Sequence, residues 1–181
     1  HIGAPLGGGC TSTCWDHQYM QTLIREIGEQ VFMDYQPDES GAYDHDIHRA
    51  LTHFYYDYTG LRAYSYQLAK ADLDLNQPLY MSGRRNGGGH AWVVDGYKQR
   101  THVYRVTYHY YDGSSEIVTN KNTFYGYLHI NWGWDGMNNG YSGKDVFDAT
   151  NASEYDSPNY NWMDYQYTMN LTLMTGISPR F

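Results

Sequence analysis

Cysteine is scarce in this chain: 181 residues contain two, Cys10 and Cys14, both within GGGCTSTCWD near the start. With none further along, a disulfide framework is excluded. At this spacing a mutual bond, weak metal coordination and free thiols all remain open. Long apolar runs are lacking too. No stretch approaches the roughly 18 consecutive apolar residues of a membrane helix, so no membrane span is expected. The opening HIGAPLGGGC has neither the basic nor the apolar block of a signal peptide. Positive charge is also short, since 12 Lys and Arg stand against 20 Asp and Glu for a formal charge of −8, with no basic run longer than Arg84-Arg85. Nucleic acid and anionic membranes are poor partners for such a chain. The first residue is His rather than Met, which leads us to expect a processing product with a segment upstream.

What the chain does have is tyrosine and glycine, 21 and 19 residues. At about 150 residues per domain, its length predicts one compact domain. Residues 1–17, with four Gly and a Pro, read as an extended glycine-rich arm. From Gln18 the pattern turns helical, with Met20, Leu23, Ile24, Ile27 and Val31 at helical spacing, Asp16 as a cap and Gln36-Pro37 as a stop. Ile47, Ala50, Leu51 and Phe54 mark a second helix from about Asp44 to Tyr56, its apolar stripe turned to the core. After Thr59-Gly60 short β-branched and aromatic runs alternate with turn residues: PLYMSG, HAWVVDGY, THVYRVTYHYY, SEIVTN, FYGYLHINW and YQYTMNLTLMT. Asp112-Gly113 signals a hairpin. The expected class is α+β, helices first and an antiparallel sheet second.

Two blocks carry chemistry. In SGRRNGGGHAWVVDGY, Gly87 to Gly89 form a backbone bare of side chains, against which a substrate strand can lie, and His90 then opens an apolar strand. In YLHINWGWDGMNNGY, Asn131 and Trp132 end a strand that Gly133 breaks, with Trp134 two residues on. An Asn oxygen can accept an imidazole N–H and fix its tautomer, while a neighbouring indole keeps water off that bond. His90 and Asn131 meet if their strands pair.

GGGHAWVVDGY and HINWGWDGMNNGY, together with LIREIGEQVFMDYQPDESGA and the proline-led NQPLYMSG, occur in an order that resembles the streptopain/interpain family of papain-like bacterial cysteine peptidases, from about Met20 to the C-terminus. The resemblance implies a papain-like fold and peptide-bond hydrolysis on protein or peptide substrates, with no cofactor. It implies that His90 is the catalytic base, that Asn131 orients it and that Trp132 covers the pair. It further implies that Gly89 and the loop at Ser40 and Gly41 help form the substrate cleft. A secreted or cell-surface bacterial enzyme, matured by removal of a signal and a pro-segment, follows from the same likeness.

Two departures from the family pattern stand out. The glycine-cysteine-alanine segment that carries the nucleophile in such peptidases is missing, and Cys14 precedes the block LIREIGEQV too closely to leave room for a nucleophile helix. The nucleophilic Cys is therefore expected on an upstream fragment of the same precursor. The alternatives are a peptide-binding or regulatory module without a nucleophile, and a single-chain peptidase using Cys14. Between His90 and Asn131 a Tyr-rich hairpin, Thr101 to Thr123, is inserted, and loop-closure cost rises slowly enough with length to tolerate it at the surface. His45, His48 and Asp44 could offer metal ligands, yet a solvated helix start accounts for them better.

Overall fold

The computed structural model describes residues 12–37, 40–150, 152–156 and 166–180. The chain divides into two compact units, residues 1–57 with 179–181 and residues 58–178.

The first unit is mainly helical. Helix α1 (Ser12–Gln30) starts six residues before the expected Gln18, so Asp16 lies inside it rather than capping it. Residues 12–17 of the expected arm are thus helix, and the remainder, Cys10 included, lies outside the described residues. The apolar stripe of α1 is covered only at its end: Val31 is 5% exposed, whereas Met20 and Ile24 are 56% and 57% exposed. Phe32, at φ 51°, turns the chain out of the helix, and the Arg49 guanidinium lies 4.2 Å over its ring while Nε donates to Gln30 O. Strands β1 (Asp34–Tyr35) and β2 (Ser40–Gly41) form a small antiparallel ladder. A 3₁₀ turn (Asp44–Asp46) leads into α2 (Ile47–His53), which buries Ala50 and partly buries Ile47, Leu51 and Phe54, as its spacing predicts. Strand β3 (Tyr56–Asp57) follows, and Arg180 Nε binds Asp57 at 2.5 Å.

The second unit is a seven-stranded sheet with every pairing antiparallel, in the order β4-β10-β5-β6-β7-β8-β9. Its strands are β4 (Arg62–Ala63), β5 (Leu79–Arg85), β6 (Gly88–His109), β7 (Ser115–Asn131), β8 (Gly140–Gly143), β9 (Glu154–Tyr155) and β10 (Met169–Met174). The class is α+β, with few helices and a mostly antiparallel sheet. The helix-first order is broken, because α3 (Tyr66–Leu73) lies between β4 and β5 and packs Tyr66 and Ala69 into the core. That segment, YQLAKADL, spans only two turns, too short for its periodicity to stand out from the aromatic runs around it.

Side chains alternate across a strand, and one face of this sheet holds the core: Met81, Trp92, Val94, Leu128 and Ile130 are at most 3% exposed. Two pairs of expected strands are single strands. HAWVVDGY and THVYRVTYHYY join as β6, and SEIVTN and FYGYLHINW join as β7. Asp95-Gly96, which resembles a turn in sequence, is instead a bulge where the β6–β7 register shifts between Val94 and Gly96. At the hairpin tip the Asp112 carboxylate accepts from Ser114 N and Oγ, at 2.9 and 2.6 Å, closing the expected turn. Among the described residues no helix is long and apolar enough to cross a membrane.

Candidate active site

His90 sits near the start of β6, directly across the ladder from Gly83 of β5. Its ring lies among aromatic rings, with centroids 4.8 Å from Trp134, 5.7 Å from Tyr167, 6.2 Å from Trp132 and 6.4 Å from Trp92. Period two places His90 and Trp92 on one face of β6, and past the end of β7 the turn at Gly133 leaves Trp132 and Trp134 stacked at 5.7 Å. Room for these rings comes from Gly83: a Cβ there would lie 2.9 Å from Trp92 and 3.3 Å from Tyr167. Half-buried in this setting, the imidazole is held below its ordinary pKa by burial, which the bond to the Trp132 backbone only partly offsets. At neutral pH it is therefore the uncharged ring.

That ring has a defined tautomer. His90 Nε2 is 2.8 Å from the Trp132 carbonyl oxygen. A carbonyl can only accept, so Nε2 carries the proton and Nδ1 is left as the basic nitrogen. The carbonyl is itself well fixed. Trp132 is 1% exposed, and its N–H donates to the buried Asn139 Oδ1 at 2.9 Å.

Asn131 does not hold the ring in the way the sequence suggested. The ladder sets Asn131 opposite Val93. Because faces alternate, it falls on the opposite side of the sheet from His90 and Trp92. Its Oδ1 accepts from Gly133 N at 3.0 Å, closing a turn in which Gly133 adopts φ +77°, a conformation glycine reaches without strain. The orienting contact on His90 is the backbone carbonyl next to Asn131, not its side chain. Asn131 shapes the turn from which that carbonyl projects.

The glycine run is also differently used. Asn86-Gly87, with Gly87 at φ +90°, makes the two-residue turn between β5 and β6, and only Gly88 and Gly89 lie in the strand. Gly89 is exposed beside His90. Ser40 and Gly41 form β2 in the first unit, both exposed. Cys14 falls within the span of α1, and its side chain lies outside the described residues. Where the 3₁₀ turn runs into α2, His48 Nδ1 faces the His45 carbonyl and His45 Nε2 stands 3.5 Å from Asp46.

Sequence reasoning missed Trp92, Tyr167, Gly83 and Asn139. Trp92 was accessible from the H-x-W alternation. Tyr167 and Gly83 reach His90 only through the β10–β5–β6 pairing, which no local pattern encodes.

A model of the Peptidase C10 family matches residues 11–142, which include every residue assigned to the site from sequence. The chain is 29% identical over 137 residues to streptopain of Streptococcus pyogenes, an alignment covering 71% of this chain and 28% of that protein. It is 27% identical over 130 residues to the thiol protease/hemagglutinin PrtT of Porphyromonas gingivalis, covering 67% of this chain and 12% of that protein. The chain thus aligns with less than a third of either relative.

Proposed function

The chain belongs to the Peptidase C10 family, and from that premise we propose that it is the histidine-bearing part of a papain-like cysteine endopeptidase. The observation that carries this reading is the caged, neutral His90, whose Nε2–H is tied to Trp132 O and whose Nδ1 remains basic. Such a ring is suited to take a proton from a thiol. The names of both relatives, streptopain and a thiol protease, support the same chemistry.

In the complete enzyme a Cys thiol gives its proton to His90 Nδ1, and the thiolate attacks the peptide carbonyl carbon. The tetrahedral oxyanion is held by backbone N–H groups at the nucleophile. As the C–N bond breaks, the His90 imidazolium protonates the leaving amine, and His90 then draws a proton from the water that hydrolyses the thioester. Trp132 keeps water from the Nε2–H bond. Asn131 acts one step back, through the Gly133 turn that presents the Trp132 carbonyl. Gly89 lines the substrate cleft in this reading.

The nucleophile is assigned to a segment of the same precursor N-terminal to this stretch, in an enzyme secreted or displayed after processing. The exposure of Met20 and Ile24 on α1 supports a further segment covering that helix. So does the position of Cys14, on the same helix as LIREIGEQ with no separate helix between. Casein hydrolysis tests it: this chain alone should be inactive, and the chain continuous with its upstream segment should be active. Robust cleavage by residues 1–181 alone would transfer the nucleophile's role to Cys14, and inactivity of the longer protein would favour a peptide-binding module.

A further inference from the structure

Two residues before Asn131, His129 lies between two carboxylates. Its Nδ1 is 2.5 Å from Asp95 Oδ1, and its Nε2 is 2.9 and 3.1 Å from the two oxygens of Asp156. A neutral imidazole can donate to one carboxylate only, so serving both requires the imidazolium. Burial alone would lower the pKa of this ring, but the hydrogen bonds and charges of Asp95 and Asp156 outweigh it and hold the value above the ordinary imidazole range. Each neighbouring element supplies part of the setting. Asp95 is aimed by the β6 bulge, and Tyr141 of β8 packs edge-on at 4.9 Å. Lys98 Nζ lies 4.0 Å over the Tyr141 ring and pairs with Glu154, which Arg100 also approaches at 3.9 Å.

An unbroken line of bonds runs from this clamp to His90. Asp156 N–H donates to Asn139 O at 3.0 Å, Asn139 Oδ1 accepts from Trp132 N–H at 2.9 Å, and Trp132 O accepts from His90 Nε2–H at 2.8 Å. The clamp also joins the two strands that carry the site, Asp95 lying five residues after His90 on β6 and His129 three before Trp132 on the β7 side.

We propose that His129 is a positioning residue, a two-carboxylate clamp that holds Asp156, Asn139 and Trp132 so that the Trp132 carbonyl keeps His90 in its Nε2–H form. Loss of one proton turns an imidazole lone pair toward a carboxylate, and one arm of the clamp must open. Its consequence for turnover rests on the peptidase reading, whereas the coupling between the two imidazoles does not.

The test is an NMR pH titration of the full chain with ¹⁵N-labelled histidine, run from about pH 5 to about pH 9, on either side of the ordinary imidazole range. His129 should titrate above the ordinary value and His90 below it. At the His129 midpoint the His90 nitrogens should show a second step, from Nε2–H toward mixed tautomers. That step should vanish in His129→Gln and in Asp156→Asn, while the step at the lower pH persists. In the complete peptidase, kcat should fall about tenfold through the same midpoint with KM little changed, an effect of the size that slight misplacement produces. In the variants kcat should stay low without that pH step. A wild-type titration with no second step at His90, or a second step that survives His129→Gln, overturns the proposal. A complete enzyme that hydrolyses nothing would sink the peptidase reading and leave the titration to judge the coupling.

Discussion

From Gly88 to Val94, β6 is paired with β5, with β7 joining on its other side at Val93 and Val94, and its core face meets Trp132 and Tyr167. From Thr101 to His109 the same strand pairs with β7 alone, and Val103 and Tyr108 are 66% and 55% exposed. The backbone geometry is shared, and the neighbours differ. At the inner end a residue is fixed by the β5 ladder and by rings packed to the density of a core, so a single added methyl is felt. At the outer end little but the ladder and the Asp112 turn fixes it. The proposed chemistry lies at the more constrained end, and the Tyr-rich arm carries none of it.

The sharpest way to break this contrast is to remove the inner imidazole. His90→Ala should lower kcat/KM of the complete enzyme by several orders of magnitude, since the members of such a group act as a unit, with circular dichroism unchanged. Gly83→Ala comes next. It forces a Cβ to 2.9 Å from Trp92 and 2.8 Å from Leu171, so it should destabilise the fold by about 1–3 kcal/mol, as overpacking does, and NMR should show the His90 titration midpoint displaced. Asn131→Ala, which frees the Gly133 turn but leaves Trp132 packed, should cost about tenfold to a hundredfold in kcat/KM. A loss exceeding that of His90→Ala would mean that Asn131 contacts the reacting groups. The smallest effect belongs to the outer arm. Replacing residues 101–123 by a short turn should leave turnover of a small peptide substrate within about threefold while altering preference among protein substrates, as expected of a surface loop. Loss of soluble protein would place the tyrosines of the arm in the core.

The two histidines also oppose each other in pH. His129, raised in the folded state, contributes stability that is complete below the ordinary imidazole value and is lost as pH rises through its folded pKa. His90 is depressed, so its contribution is present above the ordinary value and lost as pH falls through its lower one. Thermal melts across this range should show a maximum between the two, and His129→Gln should remove the decline on its alkaline side.

How much was legible in the sequence follows the same division. The Asp112-Gly113 turn is a local signal, and it stands where expected. So are the blocks around His90 and Trp132, whose pairing of glycine, histidine and tryptophan is unusual enough to mark a candidate site. The sheet face of Asn131 was not legible because a one-residue difference in register moves a side chain to the other face, and register here depends on a bulge at Asp95 that sequence presents as a turn. The Asp95–His129–Asp156 clamp left no signal, since its members are 34 and 27 residues apart and meet only when β6, β7 and β9 are assembled. Helix α3 was overlooked because eight residues give too few turns for a period to emerge.

The central claim is that His90 serves a thiol supplied from outside residues 1–181. Labelling the complete enzyme with an epoxide inhibitor of thiol peptidases, followed by peptide mapping, tests it directly. The account predicts modification at a cysteine upstream of this stretch, lost in His90→Ala and unaffected when Cys10 and Cys14 are both replaced by Ser. Modification at Cys14, abolished by Cys14→Ser, would contradict it.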